Sequence, residues 1–597
     1  MSEITHAYHR VRSKGMAAKL QEEHGVRLAI EGCGHGTLHA IYASVAESCK
    51  RKGWSGVDLL IIGGDFQSVR NAYDLNCVSM PAKYREMCDF HEYYSGQRTA
   101  PYLTIFVGGN HEASNYLFEL YYGGWVAPNM YYMGAANVLR LGPLRIAGMS
   151  GIWKGYHYRK PHFERLPYNE SDMKSIYHTR EMDVRKLLQV RSPVDIGISH
   201  DWPKGVEWKG NFKQLFRYKK HLEDDARSGQ LGNVAAQYVL DRLRPKYWFS
   251  AHLHCKYAAV VKHDRIEVKQ QALPTTNGHA AKPMDENEID LNIDDNDTAA
   301  EAEPAQSVNV ETVANSDEID LELDDDIDGI APVAPGQGLD NVTIPVPSDS
   351  PTEQPLLTAE EARAALPESF RRPEPRNQRE QEPIEHPPEI TNTVTHFLAL
   401  DKCLPHKEFL QLISVPFEQN LEPQRTLKLQ YDREWLAITR AFALSEPPVL
   451  GDPDARVPQA KSQSEYKALI QEQFDFLAQN LPDSSLTIPD NFERTAPVYD
   501  NKAWNLPQYA KVEEHPNPQT AAYCEMLQMP NAFAISEEER AARLAQGPRY
   551  DADAEKFAAR RGRGGGGGFA RGRGRERGGG GGRGRGGGGR GRGSRGR

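Results

Sequence analysis

The chain has no apolar run near the ~20 residues a membrane helix needs. Residues 1–25 also lack the apolar core of about 7–15 residues that marks a secretory leader. Both absences argue against a membrane protein or an exported one. Glu3, Glu22 and Glu23 weigh against a mitochondrial transit peptide. Residues 1–25 are read either as an unstructured N-terminal extension or as the product of an early start codon, with Met16 as the other start. The seven cysteines contain no C-x-x-C pair, which suits a reducing compartment rather than a disulfide scaffold. Cys49, Cys77, Cys88, Cys255, Cys403 and Cys524 are expected to be packing residues.

Charge of one sign is missing from a long stretch. Between Lys282 and Arg363 there is no Lys or Arg, yet eighteen acids lie between Asp285 and Asp328. With so few aromatics such a segment cannot bury enough surface to fold alone. Residues 281–390 are therefore expected to form a disordered acidic and Pro-rich linker. Within it Glu288-Ile289-Asp290-Leu291 recurs as Glu318-Ile319-Asp320-Leu321, either a pair of short binding motifs or low-complexity drift. Residues 541–597 become almost pure Arg and Gly after Arg560, with Phe569 the only aromatic there. That composition forbids a core and suits non-specific contact with RNA, with protein contact as the alternative. The net charge of −10 averages these opposed segments.

What is present is a series of five short motifs rich in metal-ligand side chains. They are GCGHG with Cys33 and His35, GGD ending at Asp65, GGNHE with Asn110 and His111, SH ending at His200, and AHLH with His252 and His254. Each directly follows an apolar run: 26–30, 59–62, 102–107, 196–199 and 247–250. Short β-branched and aromatic runs bounded by glycine predict buried strands, and the segments between them have helical character. The class is α/β, in which ligands gather beyond the carboxyl ends of the strands. Thiolate, imidazole, carboxylate and amide oxygen together suit Zn, Fe or Mn. The two oxygens of Asp65 can bridge a pair of ions roughly 3.5–4 Å apart, the spacing that clamps a phosphate. One or two divalent ions per site are expected.

The pattern resembles the calcineurin-like metallophosphoesterases, which usually write the first motif Asp-x-His. Cys33 stands at the Asp position here, and with it the chain looks like one branch, the RNA lariat debranching enzymes. GDFQSVRN, MPAKYREM, SGIWKGYHYRKPHFERLPYN, ISHDWPKG and THFLALDKCLPHKEFLQ extend the likeness over roughly residues 26–280 and 391–540. The resemblance implies a phosphoesterase β-sandwich flanked by helices over 26–280 and a mainly helical C-terminal domain over 391–540. It implies that Cys33, His35, Asp65 and His254 frame one metal pocket and that Asp65, Asn110, His200 and His252 frame a second. His111 then faces substrate as general acid. Glu112 either orients His111 or a ligand, or is merely a helix-start carboxylate. The implied substrate is the branched intron lariat, and the bond cut is its 2′–5′ phosphodiester. That implies a nuclear location and contact with spliceosome-associated proteins.

A lariat branch needs cations for its phosphates and flat rings for its bases. Residues 153–185 supply both, with Trp153, Tyr156, Tyr158, Arg159, Lys160 and Arg180 as the candidate substrate contacts. The other reading is a packing loop with solvated charges. Residues 69–98, with Arg70, Lys83, Tyr84, Arg85, Tyr93 and Tyr94, form a second candidate wall on which core packing is an equal reading. Tyr431, Trp435, Ile438 and Phe442, like Tyr466, Ile470, Phe474 and Leu477, recur at helical spacing and should pack on the catalytic domain. Three rival functions stay open. They are a protein phosphatase or DNA nuclease of the same fold, a non-catalytic scaffold, and a protein that acts mainly through its RNA-binding tail.

Overall fold

The computed structural model describes residues 25–263, 386–416, 427–500 and 512–551. The N-terminal extension, most of the acidic linker and the Arg/Gly tail lie outside the described residues. Among the described residues the strands are β1 (Val26–Glu31), β2 (Leu59–Ile62), β3 (Thr104–Phe106), β4 (Gly124–Ala127), β5 (Met130–Tyr132), β6 (Ala136–Leu141) and β7 (Leu144–Met149). They continue with β8 (Ile196–Ser199), β9 (Tyr247–Ser250), β10 (Tyr257–Lys262), β11 (Val394–Ala399), β12 (Leu410–Val415) and β13 (Leu429–Tyr431). Each of the five apolar runs is a strand, and each motif follows the carboxyl end of its strand.

The strands form two mixed sheets, ordered β12-β1-β2-β3-β5-β4 and β10-β11-β9-β8-β7-β6-β13. Alternation along each strand sorts side chains between two faces. Leu28, Ile30, Leu59, Ile61 and Ile105 of the first sheet meet Leu139, Ile146, Ile196, Ile198 and Phe249 of the second in one buried cluster between the sheets. Ala29, Leu60, Ile62 and Phe106 face the other way, onto Leu38, Ile41, Tyr42 and Val45 of the helix Leu38–Lys52. The outer face of the second sheet packs on Val184, Leu187, Val239, Leu240, Trp435, Ile438 and Phe442. The architecture is thus a β-sandwich flanked by helices. Cover on both faces explains why β2 reads as an unbroken apolar run rather than an alternating one.

The segment after the linker does more than cap this sandwich with helices. β11 lies between β9 and β10, parallel to β9, with Phe397 opposite Trp248 and Ala399 opposite Ser250. β12 runs antiparallel to β1 and β13 antiparallel to β6, so this segment supplies strands to both sheets before its helices begin. None of these strands was expected, and Tyr431, expected on a helical stripe with Trp435, instead ends β13, because Asp432 caps the helix that starts at Arg433. Thr, His, Gln and Ser interrupt the apolar residues of the three strands.

A buried ion cluster joins the two parts. Asp432 accepts from Arg145 Nε at 2.8 Å and Nη2 at 2.7 Å, and from Arg140 Nε at 2.8 Å. It also accepts from Trp435 N–H at 3.1 Å, capping the helix Arg433–Ser445. Burial opposes its charge, but Arg145 and Arg140 outweigh that and hold the carboxyl below its usual range. Tyr466 and Leu477 of the helix Gln463–Asn480 are buried, with Ile470 and Phe474 half-covered beside them.

Candidate metal centre

The motif loops converge where the parallel strands end. The ligand atoms of Cys33, His35, Asp65 and His254 all lie within 4.8 Å of one another. His35 Nε2 is 3.2 Å from His254 Nε2 and 3.8 Å from Asp65 Oδ2. Asp65 presents its other oxygen, Oδ1, 3.4 Å from His200 Nε2. His200 Nε2 lies 3.2 Å from Asn110 Oδ1, and the His200 and His252 rings are 5.0 Å apart. Asp65 therefore faces two donor sets, one through each oxygen.

The backbone is bent to achieve this. His35, Asp65, His252 and His254 all have positive φ, at 40°, 46°, 64° and 46°. Such conformations cost of order 1–3 kcal/mol each in non-glycine residues and persist where surrounding structure enforces them. Two glycines permit the close approach. A Cβ on Gly64, itself at φ 121°, would lie 2.3 Å from His200 Nδ1, and one on Gly109 would lie 2.2 Å from Asp65 Oδ1.

Glu112 ties the loops together. It is 2 % exposed, and its Oε1 accepts from Phe66 N–H and Gly109 N–H, each at 2.9 Å. Its Oε2 accepts from Gln67 N–H at 2.8 Å. This decides between the two readings of Glu112: it holds the Asp65 loop to the Asn110 loop, and the nearby helix starts only at Ser114. Burial, then the Asp65 carboxylate, pushes its carboxyl up to about 8, against the three N–H donors.

Electrostatics suit a cation. Burial holds His35 down to about 4 and His252 to about 3, and lowers His254 and His200 as well. These imidazoles are thus neutral near pH 7, with a lone pair to offer. Backbone contacts set which nitrogen offers it: His200 Nδ1–H donates to Gly63 O at 2.9 Å, leaving Nε2 toward Asp65. Burial, then Asp65 and Glu31, raises the Cys33 thiol well above its usual value. For Asp65, burial is outweighed by His200, His111 and His35, and its carboxyl is held well below the usual range. Glu31, Cys33 and Asp65 are three acidic groups packed among neutral imidazoles, and a divalent ion supplies the positive charge this set is short of.

His111 sits beside the centre. Its ring lies 5.8 Å from that of His35 and its N–H donates to Asp65 Oδ1 at 2.9 Å. Its Nδ1–H donates to Ser79 O at 2.9 Å, which leaves Nε2 for another partner. Gln67 was not foreseen; its amide lies 3.3 Å from His35 Nδ1 and steadies that ring. Gln67 lies in GDFQSVRN, but nothing there assigns it to His35, and no signal marks the Ser79 carbonyl, because both act through folding of the loop.

The candidate substrate contacts divide. Tyr156 is 62 % exposed, and Arg159 and Lys160 are half-exposed on the same loop. Trp153 and Tyr158 lean on each other at 4.9 Å and pack partly onto the outer core. Arg180 departs from expectation. Its guanidinium is buried, with Nη2 bonded to Glu164 Oε1 at 2.5 Å and Nη1 to His157 O at 2.9 Å. It pins the loop from inside, because a buried carboxylate requires a buried partner. In the second candidate wall Arg70 is likewise buried between Asp74 and Glu119, and Tyr93 and Tyr94 belong to the core.

The sandwich and the Asp65-centred ligand cluster define a calcineurin-like metallophosphoesterase, a hydrolase whose family implies divalent metal ions. The profile described as calcineurin-like phosphoesterase matches residues 26–256, and that described as the C-terminal domain of lariat debranching enzyme matches residues 392–532. The lariat debranching enzyme of Schizosaccharomyces pombe is 36% identical over 505 residues, spanning 83% of this chain and 95% of that protein. The Arabidopsis thaliana enzyme of the same name is 34% identical over 505 residues, 85% of this chain and 87% of its own. That of Homo sapiens is 51% identical over 250 residues, 42% of this chain and 46% of its own. The chain belongs to the lariat debranching enzyme family.

Proposed function

We propose that this protein hydrolyses the 2′–5′ phosphodiester at the branch of an excised intron lariat. The products are a linear intron with a free 2′-hydroxyl at the branch nucleotide and a 5′-phosphate on the former intron end. The observation that carries the reading is the division of Asp65 between two donor sets with His111 alongside. Cys33, His35, Asp65 and His254 would hold one ion, and Asp65, Asn110, His200 and His252 the other. Ions there would neutralise phosphate oxygens and acidify the attacking water. The Cys33 thiolate favours Fe or Zn, with Mn the other candidate, over Mg.

The protein's own part is positioning and proton transfer. Glu112 holds the two ligand loops in register. Hydrogen-bonded through Nδ1 to the Ser79 carbonyl, His111 keeps its ring in place while Nε2–H protonates the departing 2′-oxygen. Tyr156, Arg159 and Lys160 offer an exposed ring and two cations to the bases and phosphates around the branch. The Arg/Gly tail adds non-specific RNA affinity, and the protein works in the nucleus beside spliceosome-associated proteins. Comparing a 2′–5′ branched RNA, a phosphopeptide and linear DNA tests the reading. Cleavage confined to branched RNA is expected. Preference for the phosphopeptide or DNA would make it a phosphatase or nuclease of the same fold, and inactivity on all three in the metal-loaded protein would make it a scaffold.

A further inference from the structure

β11 carries the chain to the rim of the metal centre. It ends at Ala399, opposite Ser250 of β9, so the following residues run beside the loop that bears His252 and His254. Three backbone bonds pin this turn to the loop after β1. Cys33 N–H donates to Asp401 O at 3.4 Å, Cys403 N–H to Cys33 O at 3.4 Å, and Gly32 N–H to Phe409 O at 3.1 Å. Cys33 and Lys402 form a parallel bridge. The approach is close enough that a Cβ on Gly32 would lie 2.1 Å from Asp401 O.

Lys402 is thereby held next to a predicted metal ligand, although hundreds of residues and the whole acidic linker separate the two in sequence. Asp401 Oδ1 accepts from Lys402 N–H at 2.8 Å, which fixes the backbone from which the side chain springs. Lys402 is half-buried at this rim. A cation at the mouth of a phosphoesterase site has an evident chemical partner. The branch nucleotide carries three phosphodiesters on one ribose, and two ions can attend only the one being cut.

We propose that Lys402 is a substrate-binding residue that holds a non-bridging oxygen of a phosphodiester flanking the scissile bond. The segment after the linker therefore completes the active site as well as the sheets. This rests on the debranching reading above.

The test uses the full chain, metal-loaded, with Lys402→Met and Lys402→Arg beside wild type. Each is assayed on branched RNA and on bis(p-nitrophenyl) phosphate, with bound metal measured. Losing one charge-assisted phosphate contact is expected to raise KM for branched RNA about tenfold. The salt dependence of log kcat/KM should become shallower by about 0.7, the slope for one single-stranded phosphate. Hydrolysis of the small diester and metal content should be unchanged, and Lys402→Arg should recover most of the loss. Unchanged KM for branched RNA in Lys402→Met overturns the inference, as does equal loss on both substrates with reduced metal. If wild type cleaves the small diester but leaves branched RNA intact, the debranching reading fails and this inference fails with it.

Discussion

Replacing Glu112 with Gln changes one atom and should disable the centre without touching a ligand. The carboxylate accepts three backbone N–H bonds, from Phe66, Gln67 and Gly109. A Gln side chain keeps one accepting oxygen and turns an NH₂ group toward at least one of those N–H donors. At minimum one bond to the buried carboxyl is lost, and a buried donor faces another donor, a cost of about 1–3 kcal/mol. Glu112→Ala leaves all three N–H groups unmet, and at about 1–3 kcal/mol each the cost is at least ~3 kcal/mol. Because the bonds join the Asp65 loop to the Asn110 loop, the damage should show locally as well as globally. Urea denaturation read by far-UV circular dichroism gives the stability, elemental analysis gives ions per chain, and turnover gives function. The expected result for Glu112→Gln is lower stability, fewer bound ions and a turnover loss that excess metal partly restores. Wild-type stability together with full metal occupancy would refute the reasoning.

Other perturbations have equally definite outcomes. Acid should empty the centre: His35 is held to about 4 and His252 to about 3, from an ordinary value of 6.5. Unfolded chains take up these protons first, so the stability contributed by the neutral rings is present above about pH 6.5 and lost as pH falls toward 4. Thermal melts across that range check this, and a flat profile would contradict it. Asp432→Ala removes two charge-assisted bonds from the buried Arg145 guanidinium, which keeps Glu434 at 2.6 Å, and should cost about 1.5–3 kcal/mol in chemical denaturation, with metal binding less affected than stability. Cys33→Asp should retain an ion while shifting metal preference toward Mn or Mg, measured by competition among metals. Peroxide should inactivate the enzyme through Cys33, with reductant restoring it if oxidation stops at sulfenic acid; full activity with Cys33 modified would exclude this.

Much of this was legible because motif and strand come as a unit. Each apolar run is short, bounded by glycine and followed at once by ligand residues, so period and punctuation pointed the same way. Glu112 was harder, since a carboxylate after GGNH reads equally well as a helix start. Only the path of the Phe66 and Gln67 backbone settles its role. Arg180 shows the opposite limit. Composition marks a cationic loop but does not say which cation faces inward, and Glu164, whose partnership decides it, lies sixteen residues away with nothing in its motif to pair it with Arg180. β11 to β13 were not legible as strands because polar residues interrupt them, with Thr395 buried in β11, and because Tyr431 falls in step with the helix that follows it. Lys402 escaped notice with them, because its nearness to Cys33 exists only once β11 enters the sheet.

The most direct measurement is cleavage of a synthetic RNA whose branch adenosine bears both a 2′–5′ and a 3′–5′ linkage. Wild type and His111→Ala are compared at equal metal occupancy. The account predicts that wild type opens only the 2′–5′ bond, leaving a 2′-hydroxyl, and that His111→Ala loses this activity while keeping its ions. Cleavage of both linkages by wild type, or undiminished 2′–5′ cleavage by His111→Ala, would contradict it.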